Sequence, residues 1–402
     1  MCTAARAGRR LEVAEIVRRY GGAYRARYPP RAGQARVMRA IAACRTAALG
    51  GHLQACDRCG AVAVRYHSCR DRHCPKCQAL AKERWVEARR AELLATRHDH
   101  VVFTLPHALN PLIRGNPRTL YRLLFAAAAE TLLAFGRDPR WLGGEIGVTL
   151  VLHTWGQNLG QHVHVHGLVT AGGLTPGGDR WLRARERFLF PVRALARVFR
   201  GKYLEFLVRA RRHGALAFAG STAPLADGRA FAAFVAALRR TEWVVYAKPP
   251  FAGPEQVVAD LGRYTHRVAI ADERLVALED DRVAFRWRDY RDGARLKTMR
   301  LDAVEFLRRF LLHVLPPGFM RVRHYGLFAN RHRRAKLARC RALLAQPEPE
   351  PRRAEGAAAM MRRLTGRDIL ACPSCGEGRL RLVAILPPWR WSPRRATGPP
   401  PP

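Results

Sequence analysis

The sequence predicts an α+β protein in which a mainly antiparallel sheet with flanking helices follows a helical and zinc-ribbon region. Three observations predict this class. Five of the ten cysteines fall between residues 56 and 77, short strand-like apolar runs follow them, and long helical patterns alternate with those runs. At 402 residues with 48% hydrophobic side chains, the chain is long enough to bury the cores of two or three domains.

The charge of the chain indicates its class of partner. Lys and Arg total 71 against 32 Asp and Glu, which gives a net charge of +39. The electrostatic field of so large a positive charge is not expected of an ordinary metabolic enzyme, and it suits a protein that binds a polyanion. The hydrophobic content excludes a disordered basic tail, and no apolar run reaches the ~18 residues that span a bilayer. We therefore expect a cytoplasmic protein that binds nucleic acid and no membrane.

The N-terminal part divides into a helical segment, residues 1–50, and a zinc-binding domain, residues 51–95, that ends in a helix from about 79 to 95. Two CxxC turns carry four thiols at the spacing of a tetrahedral structural zinc site, namely Cys56, Cys59, Cys74 and Cys77. Cys69 and His73 lie between the two turns and are alternative ligands. Basic side chains surround the module and are predicted to contact DNA, among them Arg70, Arg72 and Lys76.

Residues 96–345 are predicted to form one further domain. Strands are expected at 101–106, 146–153, 162–169 and 243–247, helices at 120–135, 191–213, 229–240 and 254–264, and a hairpin at 282–300 that turns at Asp292 and Gly293. On the third strand, His162, His164 and His166 alternate with valines, so all three imidazoles share one face. Histidines in this pattern favour a metal site, and phosphoryl transfer uses a divalent cation.

Past Gln346 the chain is basic and rich in proline, and we expect it to be disordered around any small metal site that it holds. Cys372 and Cys375 form half of such a site, which Cys340 or a histidine would complete, unless the pair is a degenerate remnant.

A candidate nucleophile follows from what the sequence lacks. It contains no G-x-x-x-x-G-K-[ST] loop and therefore no ATP-driven motor of that type. A reaction that later reseals DNA without ATP must keep the bond energy in a covalent intermediate, and a tyrosine can form one. Tyr264 has the most suitable neighbours, because Arg263 and Arg267 flank it and His266 is close.

These motifs resemble the HUH endonuclease superfamily, named for two histidines separated by a bulky hydrophobe, and within it the IS91-type rolling-circle transposases. The pair His164 and His166 on a strand, followed by a tyrosine on a helix, carries the first likeness. The second rests on matching stretches spread over about residues 20–345, namely 44–52, 68–78, 102–106, 154–158, 243–251 and 261–270.

The resemblance implies that residues 96–345 are an HUH catalytic domain with an antiparallel sheet and a tyrosine helix. It also implies a transposase that nicks one DNA strand and stays joined to its 5′ phosphate. Tyr264 would be the nucleophile, and His164 and His166 would hold Mg²⁺ or Mn²⁺. Candidates for the third ligand are His162, His153 and Gln157. The implied partners are single-stranded DNA at the transposon ends and the host replication machinery, which would place the protein at the bacterial nucleoid.

One residue departs from the family pattern. Two-tyrosine members carry a second tyrosine four residues before the matched one, where this chain has Asp260. The chain thus resembles either the single-tyrosine branch or a decayed two-tyrosine enzyme. Three alternatives stay open: a plasmid relaxase or replication initiator, a non-catalytic zinc-containing DNA-binding protein, and a two-metal carboxylate nuclease that would leave the histidine strand unexplained.

Overall fold

The computed structural model describes residues 10–185, 189–248, 262, 269–290, 292–350 and 355–389. The predicted helix at 254–264 lies outside these ranges apart from Gly262, and so do Asp260, Arg263, Tyr264, His266 and Arg267. Within the described residues, the structure confirms the predicted α+β class with antiparallel sheets and flanking helices.

The largest sheet has five antiparallel strands in the order β12-β4-β5-β3-β8. Its strands are β3 (His98–Thr104), β4 (Gly147–Trp155), β5 (Gln161–Thr170), β8 (Val245–Lys248) and β12 (Val322–Gly326). β5, the strand with the three alternating histidines, is central, and β12 and β8 form the two edges. The segment between β4 and β5 is short, so these two strands pair as a hairpin.

Alternation along the strands gives the sheet two different faces, which we call the helical face and the histidine face. Val163 and Val165 of β5 point to the helical face, together with Phe103 of β3. This face is covered by two 21-residue helices, α5 (Pro117–Arg137) and α6 (Val192–Arg212), and α7 (Gly228–Arg240) packs beside α6. The resulting apolar core is the largest in the described chain.

Among the described residues, α5 is the one helix that is long and apolar enough to cross a membrane. Its apolar side chains are buried in the core of the protein, as Leu120, Leu124 and Phe125 show. The helix is thus used to cover the sheet.

A second core joins the N-terminal helices to a later part of the chain. α1 (Val13–Arg27) and α2 (Ala32–Ala43) pack on a three-stranded sheet of order β11-β10-β9 and on the helix that follows it. Those elements are β9 (Leu275–Glu279), β10 (Arg282–Asp289), β11 (Arg295–Asp302) and α8 (Ala303–Leu311). Phe285 and Phe306 meet edge to face in its centre. Residues 10–43 therefore share a core with 269–311.

A small sheet of order β13-β1-β2 brings the C-terminal segment back to the cysteine region. β1 (Gly51–Cys56) pairs with β2 (Val62–Tyr66) on one side and with β13 (Leu380–Leu386) on the other. The expectation of a disordered tail is wrong for its described part, since β13 and α10 (Ala357–Thr365) are regular elements. The remaining α-helices and strands of the described residues are α3 (Ala79–Arg90), α4 (Asn110–Gly115), β6 (Gly172–Leu174), β7 (Trp181–Arg183) and α9 (Arg333–Leu343).

Candidate functional site

Three histidines converge on the histidine face of the five-stranded sheet. His164 and His166 are alternate residues of β5, and His153 of β4 lies directly opposite His164 in the strand register. One ring nitrogen from each of the three lies within 4.8 Å of the others. The Nε2 atoms of His164 and His166 are 3.0 Å apart. Adjacent ligands of an octahedral ion with bonds of about 2.1 Å are also about 3.0 Å apart, so the arrangement fits a divalent cation.

Neighbouring groups orient two of these rings. Nδ1 of His164 is 3.0 Å from the carbonyl oxygen of His162, an acceptor that fixes the proton on Nδ1 and leaves the Nε2 lone pair free for a metal. Nδ1 of His166 is 2.8 Å from Nε2 of His100, a residue of β3 on the same face. The second nitrogen of each ring is thus held by a partner outside the cluster, as in metal sites generally.

Burial keeps the imidazoles of His164 and His166 neutral. It lowers the pKa of His164 to about 3, with a further contribution from His162. The pKa of His166 is also well below the ordinary value, chiefly through burial and then through His153 and His164. A neutral imidazole is the form that binds a metal ion, so this histidine pair is ready for a cation at neutral pH.

Of the three candidates for the third ligand, the structure brings His153 into the cluster. His162 lies on the same face, but its Nδ1 faces Nε2 of His107 at 3.2 Å. The backbone carbonyl of Gln157 accepts a hydrogen bond from Arg274, and its side chain is not part of the three-residue group. His100 was not predicted, because its place beside His166 depends on the pairing of β3 with β5.

Helix α3 covers part of the histidine face. Val86 packs with Val151 and Leu168 in a small apolar cluster, and Val151 is directly opposite His166. Gly262 is buried against the Val86 side chain so closely that a Cβ at this position would overlap it. The residue two positions before Tyr264 in the sequence therefore lies against the layer that covers the histidines.

The first cysteine group lies in the core shared by α1, α2 and α8. It comprises Cys44, Cys69, Cys74 and Cys77, whose sulfurs lie within 4.8 Å of one another. Sγ of Cys77 is 3.4 Å from that of Cys44 and 3.6 Å from that of Cys69. Four thiolates around zinc are separated by about 3.8 Å, so the group is close to a tetrahedral site. Hydrogen bonds, first of all with Cys69, lower the pKa of Cys44 to about 7, which favours the thiolate that zinc binds.

The second cysteine group joins distant parts of the chain. It comprises Cys56, Cys59, Cys372 and Cys375. Sγ of Cys56 is 3.8 Å from that of Cys375, and Sγ of Cys59 is 3.8 Å from that of Cys372. Backbone N–H groups, led by that of Cys375, lower the pKa of Cys372 to about 6. Both distances equal the spacing expected around a tetrahedral zinc ion.

These groups correct the predicted single site of Cys56, Cys59, Cys74 and Cys77. The two CxxC turns belong to different groups, because β1 pairs with β13 and so places the C-terminal CxxC beside Cys56 and Cys59. Cys44 completes the other group, although it appears isolated in the sequence. Cys340 completes neither group and is buried beside Leu337.

The remaining predicted residues have varied surroundings. His73 is an unsuitable ligand, because its Nδ1 is 3.0 Å from Asp71 and its Nε2 accepts a hydrogen bond from the N–H of Leu315. Lys76 forms an ion pair with Glu12. Arg70 is exposed, with a positive φ of 53°. Arg72 donates hydrogen bonds to the carbonyls of Phe319 and Pro316 and lines a basic groove at the edge of the large sheet.

Comparisons with known proteins agree with this geometry. Residues 147–336, which include the histidine strand, match a family profile described as "Putative transposase". Residues 16–105, which include six of the eight clustered cysteines, match one described as "Transposase zinc-binding domain" of IS91 type. No solved structure matches the chain.

Two curated proteins are similar over most of their length. One is "Putative transposase y4qJ" of Sinorhizobium fredii, 51% identical over 94% of this chain and 98% of its own. The other is the "Transposase for insertion sequence element IS801" of Pseudomonas savastanoi pv. phaseolicola, 28% identical over 85% of this chain and 82% of its own. With a zinc-binding region, a histidine strand and a full-length relative of this kind, the chain belongs to the IS91-type transposases.

Proposed function

We propose that this transposase cuts single-stranded DNA by a metal-dependent transesterification in which Tyr264 is the nucleophile, and that it then transfers the strand during rolling-circle-type transposition. The observation that carries the proposal is the convergence of His153, His164 and His166 on one face of the sheet. Structural roles alone do not require three imidazoles with one nitrogen of each so close to the others.

His153, His164 and His166 would hold Mg²⁺ or Mn²⁺. When bound, the cation would polarise the scissile phosphate and neutralise charge that develops on it. The chain's own contribution is positioning: the carbonyl of His162 and the ring of His100 hold the two β5 imidazoles in place, and burial keeps them unprotonated. Three protein ligands leave coordination positions for DNA oxygens.

In the cutting step the phenol oxygen of Tyr264 would attack the scissile phosphorus. The new Oη–P bond forms as the bond from phosphorus to the 3′ oxygen breaks, the phenol proton is lost to solvent, and the leaving 3′ oxygen takes up a proton. The position of Gly262 against Val86 supports this role, because two residues of chain span at most ~7 Å. Arg263 and Arg267 would hold the neighbouring phosphates.

The 5′-phosphotyrosine would conserve the energy of the broken bond for a later transfer to another 3′-OH. The free 3′-OH left by cutting would prime synthesis by the host replication machinery. Two zinc ions would fix the N-terminal region, one on Cys44, Cys69, Cys74 and Cys77 and one on Cys56, Cys59, Cys372 and Cys375; their sulfur spacings support both sites.

The experiment is to incubate the purified protein with a labelled single-stranded DNA library and Mg²⁺ or Mn²⁺, and to look for label retained by the protein on denaturing gels. Wild type should form an adduct, and EDTA, Tyr264→Phe and His164→Ala should each abolish it. The trapped DNA would identify the recognised sequence.

Two results would contradict the proposal. An adduct that survives Tyr264→Phe would place the nucleophile elsewhere. Tight binding of the library without any adduct would instead favour the non-catalytic DNA-binding alternative, in which the aspartate at position 260 marks a decayed enzyme.

A further inference from the structure

The edge of the large sheet at β12 carries a groove of about 810 Å³. Among the described residues that line it, seven are arginines and none is acidic. The groove extends over both layers of the protein, because Arg118 and Arg122 come from α5 and Arg89 comes from α3. Charge of one sign concentrated in a concave surface attracts a polyanion more strongly than the same charge spread over a flat one.

Strand pairing places the floor of this groove in the same row of the sheet as one of the histidines. Val322 of β12 lies opposite Val151 of β4, which lies opposite His166 of β5. Directly opposed residues of antiparallel strands share a face, and neighbouring strands are about 4.8 Å apart. Val322, on the floor of the groove, is therefore about 10 Å from His166 on the same face, with the apolar cluster of Val86, Val151 and Leu168 between them.

Not all of the arginines are equally available. Arg89 and Arg333 share the carboxylate of Glu92. Arg323 stacks on the rings of Phe125 and Phe319, at 4.4 and 5.3 Å from their centres. Arg118, which donates a hydrogen bond to the carbonyl of Pro317, and Arg122 are exposed and lie one helical turn apart, so both can reach the same polyanion. Guanidinium groups suit phosphate because they donate two parallel hydrogen bonds to its oxygens.

We propose that this arginine groove binds the phosphodiester backbone of a single DNA strand and leads that strand to the histidine cluster. Trp85 lies on the wall of the groove and offers an indole on which a base can stack, a feature of single-strand channels. The inference rests on the proposed function for its substrate, and it adds the path along which the strand arrives.

The test measures binding to the zinc-loaded full-length protein and needs no cleavage. A fluorescent single strand of mixed sequence is titrated by anisotropy at several salt concentrations with wild type and the double variant Arg118→Ala/Arg122→Ala. If two phosphate contacts are lost, the slope of log K against log salt becomes shallower by about 1.4. The affinity at low salt should fall at least roughly tenfold.

Two further variants control for charge and for folding. Arg239→Ala/Arg240→Ala makes the same change on α7, where both arginines are exposed and the helix packs on α6 toward the opposite sheet edge, and it should leave slope and affinity unchanged. Arg118→Lys/Arg122→Lys keeps the charge and should restore most of the slope. Unfolding midpoints of all variants are compared with wild type.

Equal losses in the α7 control, or an unchanged slope in the groove variant, would overturn the inference, as would a loss confined to duplex DNA in a parallel titration. The groove and the proposed chemistry can be refuted independently. If wild type forms no adduct while the groove variants still lose binding, the groove stands and the tyrosine mechanism does not.

Discussion

The helical and histidine faces of the large sheet are built from the same strands and yet differ in almost every physical respect. On β5, Val163 and Val165 are buried in the main core, whereas His164 and His166, one position away, belong to the histidine cluster. The helical face is covered by two long apolar helices, and the histidine face partly by α3, which follows directly after the first cysteine group.

Stability and chemistry are thus separated by the two-residue period of the strand. Because neighbouring side chains point to opposite faces, substitutions at adjacent positions should have unrelated consequences. The rate of DNA cutting should respond to substitutions on the histidine face and to loss of order in α3, which covers part of it. The free energy of unfolding should depend mainly on the helical face.

The largest expected effect is on the chemistry. His166→Ala should lower the rate of adduct formation about 1000-fold, since loss of the cation removes several kcal/mol of transition-state stabilisation. Single-turnover rates measure this directly. A variant that retains more than a tenth of the wild-type rate would show that His166 does not hold the catalytic ion.

The matched change on the helical face is Val165→Ala. It removes two buried carbons at a fully buried position and should lower the free energy of unfolding by about 2–3 kcal/mol. Denaturant titration measures this loss. Below the unfolding transition its adduct rate should stay within a few-fold of wild type, and a 1000-fold loss would break the separation between the faces.

The two cysteine groups join different parts of the chain. Cys74→Ser should loosen α3 and expose the histidine face to hydrogen exchange, while α5 and α6 stay protected. Cys372→Ser should release mainly β13 from β1. Each variant should contain one zinc per chain by elemental analysis, against two in wild type. Loss of both ions from either variant would show that the groups form one cooperative unit.

Burial on the histidine face should also make stability depend on pH. His98 of β3 is fully buried on the histidine face, and burial lowers its pKa to about 4. The unfolded chain takes up this proton below about pH 6.5. Between pH 6.5 and pH 4 the unfolded state thus binds more protons, and stability falls by about 1.4 kcal/mol per pH unit as the pH falls. His98→Gln should flatten the pH dependence of the unfolding free energy by about this amount, and parallel curves would contradict it.

Much of the fold is predictable from local pattern. Helices at 191–213 and 229–240 and the hairpin at 282–300 match the structure within a few residues, since their periodicity and turn residues lie within the segment itself. The alternating histidines were likewise recognisable, because a shared strand face depends only on the period of two.

The features that could not be predicted from the sequence depend on pairing between distant parts of the chain. Cys44 and Cys77 are 33 positions apart, and Cys56 and Cys375 are 319 apart, so no spacing rule joins them. β12, which forms the floor of the arginine groove, is a short half-buried strand whose importance comes from its place beside β4. The topology of the fold determines which cysteines meet and which strand forms a sheet edge.

The most direct test of the histidine centre is to measure Mn²⁺ binding to the zinc-loaded protein by electron paramagnetic resonance. Wild type should bind one Mn²⁺ with nitrogen coupling to imidazole. His153→Ala, His164→Ala and His166→Ala should each weaken binding strongly, and His162→Ala, which alters the histidine paired with His107, should not. Equal loss in the His162 variant, or undiminished binding when all three cluster histidines are replaced, would contradict the account.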